Sequence, residues 1–204
     1  MDYYIFRLIF INSMRDAVRQ KAYTGEGTEP KKRLEDRNLM DELMPYIEPL
    51  VHGALHNSFE SSDSYNAAFL NATINVCDII NRNPENHFNF GNAQKLINMI
   101  LKYFFITTYN HEGSRDGFIY CHCPMDQQLL EKVWNNRFSL NRPNDLGTRS
   151  NFLRSWGCES FSEEQTLPPR YTLFQTAVQE LANLTIINGT ALTPLEYDYF
   201  IWGT

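Results

Sequence analysis

The chain has 204 residues, of which 43% are hydrophobic and 14% aromatic, and its formal net charge is −6. The hydrophobic fraction excludes a disordered chain and is enough for one globular body or two small lobes that share a core. The acidic balance excludes a general electrostatic attraction to nucleic acid, so a DNA contact would need a local basic face or backbone amides. Four cysteines in a chain of this size are typical of reduced thiols in a cytoplasmic protein.

The first part of the chain predicts two helices separated by a charged loop. The apolar opening MDYYIFRLIFINSM carries two charged residues and no small-residue cleavage site, which indicates an amphipathic helix rather than a signal peptide. Residues 23–38 are rich in Gly, Pro and charge and predict a mobile loop. A helix is expected at 39–56, with Pro45 and Pro49 as positions where it can break. No apolar run is long enough to span a membrane.

The middle of the chain predicts three further helices. SDSYNAAFLNATINVCDIINRN has apolar residues at helical spacing, with Ser62 or Asp63 as the N-cap. NPENHFNFGN then breaks the chain before a helix that begins near Phe90. The loop NHEGSRDGF leads to IYCHCPMDQQLLEKVWNN, in which Pro124 suits the first turn of a helix. Residues 138–169 predict a loop-rich insertion with short helical pieces.

The C-terminal part predicts two more helices. RYTLFQTAVQELANLTIING is expected to be helical as far as Asn188-Gly189, and TPLEYDYFIWGT is expected to form a short helix capped by Thr193. Strand patterns are nearly absent and no internal repeat is seen. The sequence therefore predicts an all-α fold that forms a single domain over residues 1–204.

Two lysines, Lys95 and Lys102, interrupt the apolar run FGNAQKLINMILKYFFITTY. They are two helical turns apart, which places them on one face of a helix. Because burying an ammonium group is costly, each is a stem reaching water, half of a buried ion pair or a nucleophile. Asp126 is the expected partner, since the dipole of the next helix favours its carboxylate form. The pair is then either a structural salt bridge or a unit for covalent amine chemistry.

The order of these residues resembles a known family. The pattern G-x-x-Q-K-x6-K-Y, followed by P-x-D and then by E-x-D-x3-W-G, resembles the archaeal 8-oxoguanine DNA glycosylase family of the helix-hairpin-helix DNA glycosylase superfamily. The resemblance covers Phe90 to Asp126 and the final helix. It implies a helical bundle of the helix-hairpin-helix glycosylase type, with two lobes and a cleft between them.

The resemblance also implies roles for five residues. Lys95 would be the catalytic nucleophile that attacks the sugar, and Asp126 would be the catalytic assistant that stabilises the oxocarbenium-like sugar. Lys102 and Asp198 would read the polar edges of a flipped base, and Trp202 would stack on it. On its own, Trp202 would be interpreted as a core anchor of the C-terminal helix.

Four further residues complete the expected site. Met99 occupies a pocket position that is aromatic in the family, and His122 or Cys123 is expected to shape the access to Asp126 and to touch the substrate. The turn at Gly91 and Asn92 would be the hairpin that offers backbone amides to DNA phosphate. The implied activity is excision of an oxidised or otherwise modified base, 8-oxoguanine in the family. The Schiff base formed by the lysine would also permit β-lyase strand cleavage.

Other functions remain open at this stage. RNPENH matches the R-x4-H signature of a family of all-helical ribonucleases, in which Arg82 and His87 would act on a 2′-hydroxyl group, although Pro84 would break the helix that this geometry needs. A catalytically inactive nucleic-acid-binding module is the third alternative.

Metal ligands and basic residues are less informative. CHCP supplies too few ligands for a closed zinc site, so no metal and no cofactor are expected. Arg142, Arg149, Arg154 and Arg170 form either a basic patch for phosphates or a solvated surface. We expect a cytoplasmic monomer whose partner is DNA with a flipped modified base.

Overall fold

The structure is a computed structural model that describes residues 3–18, 37–109, 115–138, 148–155, 159–161 and 166–203. Most of these residues lie in eight α-helices: α1 (Tyr3–Ala17), α2 (Arg37–Leu55), α3 (Ser62–Ile80), α4 (Phe90–Thr108), α5 (Gln127–Val133), α6 (Arg149–Phe152), α7 (Pro169–Leu184) and α8 (Pro194–Gly203). A 3-10 turn (Asp116–Phe118), a π-helical segment (Trp134–Phe138) and a hairpin of β1 (Ile186–Ile187) and β2 (Thr190–Ala191) complete the described elements. The predicted all-α class is confirmed.

Helix α4 is the central element. Every residue from Phe90 to Leu101 is buried, which is typical of a helix enclosed by other helices. Helix α1 packs along α4 through a stripe that includes Phe6, Phe10 and Met14. Helices α2 and α3 pack against each other and against α4, while α5, α7 and α8 form a second group of mutual contacts. One hydrophobic core runs through both groups.

Helix α2 is continuous, so the expected break at Pro45 and Pro49 does not occur. Both prolines are exposed and lie one turn apart on the same face of the helix. The carbonyl groups of Asp41 and Pro45, which lose their helical partners, therefore face solvent and can bond to water.

Two helices begin at positions slightly different from those predicted, because neighbouring polar residues act as their N-caps. Ser61, rather than Ser62 or Asp63, is the N-cap of α3, and it forms a capping box with Ser64. Helix α5 begins at Gln127, not at Pro124, and residues 121–126 before it have no helical structure. Asp126 thereby becomes the N-cap of α5.

The end of α7 is a larger difference. The helix ends at Leu184, and Asn188 and Gly189, with φ of 52° and 80°, form the turn of the β1–β2 hairpin. An Asn-Gly pair is equally compatible with a helix C-terminus and with a two-residue hairpin turn. The prediction that the helix extends to this pair was therefore wrong. The predicted start of α8 is confirmed, since Thr193 and Glu196 form reciprocal capping bonds.

The connections are described only in part. The predicted loop at 23–38 lies outside the described residues except for its last two, which belong to α2. The described pieces of the predicted 138–169 insertion include the single-turn helix α6. Gly117 allows the 3-10 turn to approach α2 closely, because a Cβ atom there would lie 1.7 Å from the carbonyl oxygen of Ala54. Within the described part of the chain, no helix is both long enough and apolar enough to cross a membrane.

Candidate active site

Helix α4 carries three of the predicted site residues, Lys95, Met99 and Lys102, on one face. Lys95 and Met99 are buried and Lys102 is partly buried. Met99 lies between the two lysines at the spacing of one helical turn, so the face consists of two ammonium groups separated by an apolar side chain.

Lys95 and Asp126 form a buried ion pair. Lys95 Nζ lies 3.3 Å from Asp126 Oδ2, and the two side chains are only 10% and 12% exposed. The other carboxylate oxygen, Oδ1, accepts a hydrogen bond of 2.9 Å from the backbone N–H of Leu129. Asp126 is therefore oriented by the start of α5, where the helix dipole favours negative charge, and presents its second oxygen to the amine.

Lys102 and Asp198 form a second ion pair, between α4 and α8. The distance between Lys102 Nζ and Asp198 Oδ2 is 2.7 Å, and the carboxylate is fully buried. Burial raises the pKa of Asp198, and the neighbouring Lys102 opposes that rise. Asp198 Oδ1 is buried and has no hydrogen-bond partner among the described residues.

Trp202 lies beside this second pair. Lys102 Nζ is 5.8 Å from the centroid of the Trp202 ring, which is within the range of a cation–π contact. The Trp202 side chain is 55% exposed, so it is not a buried anchor of the last helix. An exposed indole beside a buried ion pair provides a flat apolar surface at the edge of the site.

The two ion pairs are electrostatically connected. Asp198 interacts not only with Lys102 but also with Asp126 and Lys95. Lys95, Lys102, Asp126 and Asp198 therefore form one group, which we call the paired-charge cluster. With two ammonium groups and two carboxylates it carries no net formal charge, which lowers the cost of burying it.

Two glutamines that the sequence did not single out hold the segment before Asp126. Gln94 Oε1 accepts from the N–H of Met125 at 3.1 Å, and Gln94 Nε2 donates to the carbonyl oxygen of Met125 at 3.3 Å. Gln175 pairs in the same way with Cys123, at 3.0 and 2.8 Å. The two glutamine side chains thus supply backbone hydrogen bonds to this buried, non-helical segment, as a neighbouring strand does in a sheet. The one available sequence signal was the position of Gln94 directly before Lys95.

His122 does not lie where it was expected. Its ring packs edge-on against Tyr65, Phe69 and Tyr171, and Nδ1 is 3.0 Å from the hydroxyl group of Tyr171. Burial lowers the pKa of His122 to about 3, so the ring is neutral at neutral pH. His122 therefore belongs to an aromatic cluster of α3 and α7. These contacts are at odds with the prediction that it shapes the access to Asp126.

The neighbouring thiol faces the paired-charge cluster instead. Cys123 is buried, and its thiol donates to the carbonyl oxygen of Pro194 at 2.7 Å. Burial, and then the negative charge of Asp198, raise the pKa of this thiol well above its ordinary value. Cys123 is thus a protonated packing residue. The described residues contain no group of three or more His, Cys, Asp or Glu side chains that would hold a metal ion.

The turn at Gly91 and Asn92 does not face solvent, which contradicts its predicted role in binding the DNA backbone. Both residues are buried. The N–H of Gly91 donates to the carbonyl oxygen of Glu159 at 3.0 Å, and the N–H of Asn92 donates to the side-chain oxygen of Asn89 at 3.1 Å. These donors are already used within the protein, so they are not available to a phosphate.

The arginines of the expected basic patch are divided. Arg154 and Arg170 both pair with the buried carboxylate of Glu159, at 3.1 and 2.6 Å. Arg149 is exposed, and Arg142 lies outside the described residues. Arg154 and Arg170 therefore have a structural role in holding residues 159–161 against the start of α7, which the sequence did not indicate.

The geometry required for the ribonuclease alternative is not present. Residues 81–89 form turns and extended backbone, so Arg82 and His87 do not share a helical face. Arg82 instead forms an exposed ion pair with Glu42 at 2.8 Å.

Comparison with known protein families, curated proteins and solved structures finds no match to this chain.

Proposed function

We propose that the protein is a DNA glycosylase of the helix-hairpin-helix type that excises a modified base through a covalent bond between Lys95 and the sugar. The observation that carries the proposal is the 3.3 Å approach of Lys95 Nζ to Asp126 Oδ2 in a site that is nearly closed to water. The residues implied by the family resemblance, Lys95, Asp126, Lys102, Asp198 and Trp202, support it because they lie in one place.

The Lys95–Asp126 pair has the parts that covalent amine chemistry needs. Transfer of a proton from Lys95 Nζ to Asp126 Oδ2 yields the free amine that the reaction needs and a carboxylic acid that can protonate a leaving group. The amine then forms a bond to C1′ of the sugar as the bond from C1′ to the base nitrogen breaks. The departing base keeps the electron pair and takes the proton from Asp126. The regenerated carboxylate faces the cationic sugar–amine adduct and stabilises it.

Opening of the sugar completes the covalent intermediate. The Asp126 carboxylate takes a proton from the cationic nitrogen of the adduct, and the electron pair freed on that nitrogen forms the double bond to C1′. As the C1′–O4′ bond breaks, its electron pair goes to O4′, which takes the proton from Asp126. The resulting Schiff base is the species that a hydride donor reduces to a stable secondary amine. It also makes β-elimination of the 3′-phosphate feasible, which is the expected lyase step.

The second pair offers groups suited to the extruded base. Lys102 supplies hydrogen-bond donors, and Asp198 Oδ1, which has no hydrogen-bond partner in the described part of the chain, supplies a buried acceptor. The exposed ring of Trp202 offers a stacking surface beside them. A base that carries both a donor and an acceptor on its edge, as oxidised purines do, would satisfy this arrangement.

The test is borohydride trapping on a panel of single-stranded and duplex oligonucleotides that carry different base lesions and modifications. Wild-type protein is expected to form a covalent adduct with at least one oligonucleotide, and Lys95→Gln is expected to form none. Asp126→Asn should slow base release by at least about a hundredfold, as expected for loss of a group that transfers a proton. Lys132→Gln, which removes an exposed lysine of α5, should trap as wild type does.

Lys95→Arg separates the loss of chemistry from the loss of the ion pair. Arginine retains the positive charge beside Asp126 but cannot be deprotonated, so the variant should be folded, as judged by thermal melting, and give no adduct. An adduct of undiminished yield with Lys95→Arg would contradict the nucleophilic role. The absence of adduct and of base release on every oligonucleotide would leave Lys95 and Asp126 as a structural salt bridge.

A further inference from the structure

An aromatic cavity lies beside the paired-charge cluster and has no part in the chemistry described above. Its volume is about 530 Å³, which is within the usual range of small-molecule sites. Its walls are formed by the last turns of α4, by the β1–β2 hairpin and by α8. The lining includes four aromatic rings, those of Phe105, Tyr109, Tyr199 and Phe200.

Three of the four aromatic residues that line the cavity, Tyr109, Tyr199 and Phe200, are accessible from solvent, while Phe105 is buried. The side chain of Tyr199 is 60% exposed and that of Phe200 is 38% exposed, and Ile106 and Ile187 beside them are also exposed. Isolated exposed apolar side chains are common, but a contiguous group of them around a concavity is typical of a binding site.

The charged groups of the cavity neutralise each other. Arg115 Nε lies 2.8 Å from Glu196 Oε1, and the guanidinium group also bonds to the carbonyl oxygen of Ala191. Glu196 in turn accepts from the backbone N–H of Thr193. Because these groups are already paired, the cavity offers flat apolar surfaces to a neutral planar molecule rather than a site for a phosphate.

The position of the cavity relates it to the candidate active site. On α4, Ile106 follows Lys102 by four residues, a rise of about 6 Å along the helix. On α8, Tyr199 and Phe200 directly follow Asp198. The cavity therefore begins about one helical turn from the Lys102–Asp198 pair. This separation can be covered by one nucleotide step of an unstacked strand, since even stacked nucleotides rise about 3.4 Å each.

We infer that the cavity binds an unpaired nucleobase next to the excised one, so that the substrate is single-stranded or locally unpaired DNA. Every base has a flat π-face, and single-strand-binding proteins use exposed aromatic side chains as stacking surfaces in this way. The claim that the bound base is the neighbour of an excised base rests on the proposed function. The claim that Tyr199 and Phe200 bind an unpaired base does not rest on it.

The experiment measures the dissociation constant of a dye-labelled, unmodified single-stranded oligonucleotide by fluorescence anisotropy. Tyr199→Ala and Phe200→Ala are each expected to weaken binding about tenfold, since one stacked base contributes that order of affinity. Tyr4→Ala is the matched control, because Tyr4 is a tyrosine of α1 that is 79% exposed and does not line the cavity. Thermal melting of each variant verifies that the fold is retained.

Two comparisons establish whether a base is recognised. Wild-type protein should bind an oligonucleotide of the same length composed of abasic sites at least about tenfold more weakly than the unmodified one, and the Tyr199→Ala variant should lose this preference. Equal affinity of wild-type protein for the two oligonucleotides would overturn the inference. So would binding by Tyr199→Ala and Phe200→Ala that matches the Tyr4→Ala control.

The outcome is independent of the chemistry at Lys95. Loss of single-strand affinity in Tyr199→Ala, together with no adduct on any oligonucleotide, would support the cavity and reject the glycosylase. A trapped adduct together with unchanged affinity in both cavity variants would reject the cavity and leave the glycosylase intact.

Discussion

Lys95 and Lys102 illustrate how a helix that is otherwise apolar accommodates ammonium groups. Neither lysine merely extends its stem to water, since each lies within 3.3 Å of a carboxylate in a closed environment. A buried ion pair rarely adds stability compared with apolar side chains of the same size, because both charges must first leave water. Two adjacent pairs are therefore a costly arrangement for stability alone, and this cost favours a chemical role.

Glu196 provides a test of electrostatics at a single residue. Burial by itself would raise the pKa of Glu196, but the hydrogen bonds from Arg115 and Thr193 outweigh it, and the pKa lies below its ordinary value of 4.5. A carboxylate with a lowered pKa stabilises the folded state above about pH 4.5, and the stabilisation is lost as the pH falls through the folded-state pKa. Glu196→Gln should therefore lower the free energy of unfolding by about 1 kcal/mol at pH 7.

The difference between wild type and Glu196→Gln should shrink as the pH falls below about 4.5 and through the lowered folded-state pKa, because the wild-type carboxyl then becomes protonated. Urea denaturation at a series of pH values from 7 to 3 measures this, and Glu48→Gln, at an exposed position of α2, serves as the control. A difference that is independent of pH would mean that the charge of Glu196 does not contribute to folding.

At the scale of elements, the non-helical segment before α5 depends on side chains from two helices. Gln94 of α4 bonds to both backbone groups of Met125, the residue directly before Asp126. Gln94→Met preserves the size of the side chain but leaves two buried backbone groups unsatisfied, each at a cost of about 1–3 kcal/mol. We expect the free energy of unfolding to fall by about 2–5 kcal/mol.

Urea denaturation measures this loss, and Gln128→Met, at an exposed position of α5, should change stability little. Because the segment also positions Asp126, the yield of trapped adduct should fall in Gln94→Met under conditions where the variant remains folded. A Gln94→Met protein as stable as wild type would show that the bonds to Met125 are not needed to hold the segment.

The longer helices were predictable because they have a hydrophobic pattern, and some also have a local cap. The pattern of α1, the capping residue of α8 and the largely apolar character of α4 are properties of short windows of sequence. The hairpin was missed because Asn188-Gly189 is compatible with two local structures, and only the contacts of α7 with β2 and α8 distinguish them.

The site was predictable only where spacing within a helix or family resemblance applied. Lys95 and Lys102 share a face through helical periodicity, whereas the pairing of Gln175 with Cys123 spans 52 residues and follows from tertiary packing. The burial of Gly91 depends on Glu159, in a region where the sequence has no regular pattern. Contacts of this kind have no local signal, so helical spacing could place the two lysines on one face, but no pattern could indicate that the N–H of Gly91 is used within the protein.

At the scale of the whole molecule, the charged side chains of the described residues form local ion pairs rather than an extended basic surface. Five described arginines outside the active site are bound to glutamates: Arg82 to Glu42, Arg115 to Glu196, Arg137 to Glu180, and both Arg154 and Arg170 to Glu159. The paired-charge cluster carries no net formal charge, and the complete chain carries −6. Within the described residues there is thus little unpaired positive charge that would follow a phosphate backbone.

This distribution predicts that the binding of single-stranded DNA depends only weakly on salt. Each phosphate neutralised by the protein contributes about −0.7 to the slope of log affinity against log salt concentration. If aromatic stacking in the cavity supplies most of the affinity, with three phosphate contacts or fewer, the slope should be no steeper than about −2. Fluorescence anisotropy titrations between 50 and roughly 400 mM salt measure the slope, with the Tyr199→Ala variant for comparison.

The Tyr199→Ala variant should bind more weakly at every salt concentration with the same slope, because the lost contact is uncharged. A slope of about −4 or steeper would mean that phosphate contacts dominate binding, and that basic residues outside the described part of the chain supply them.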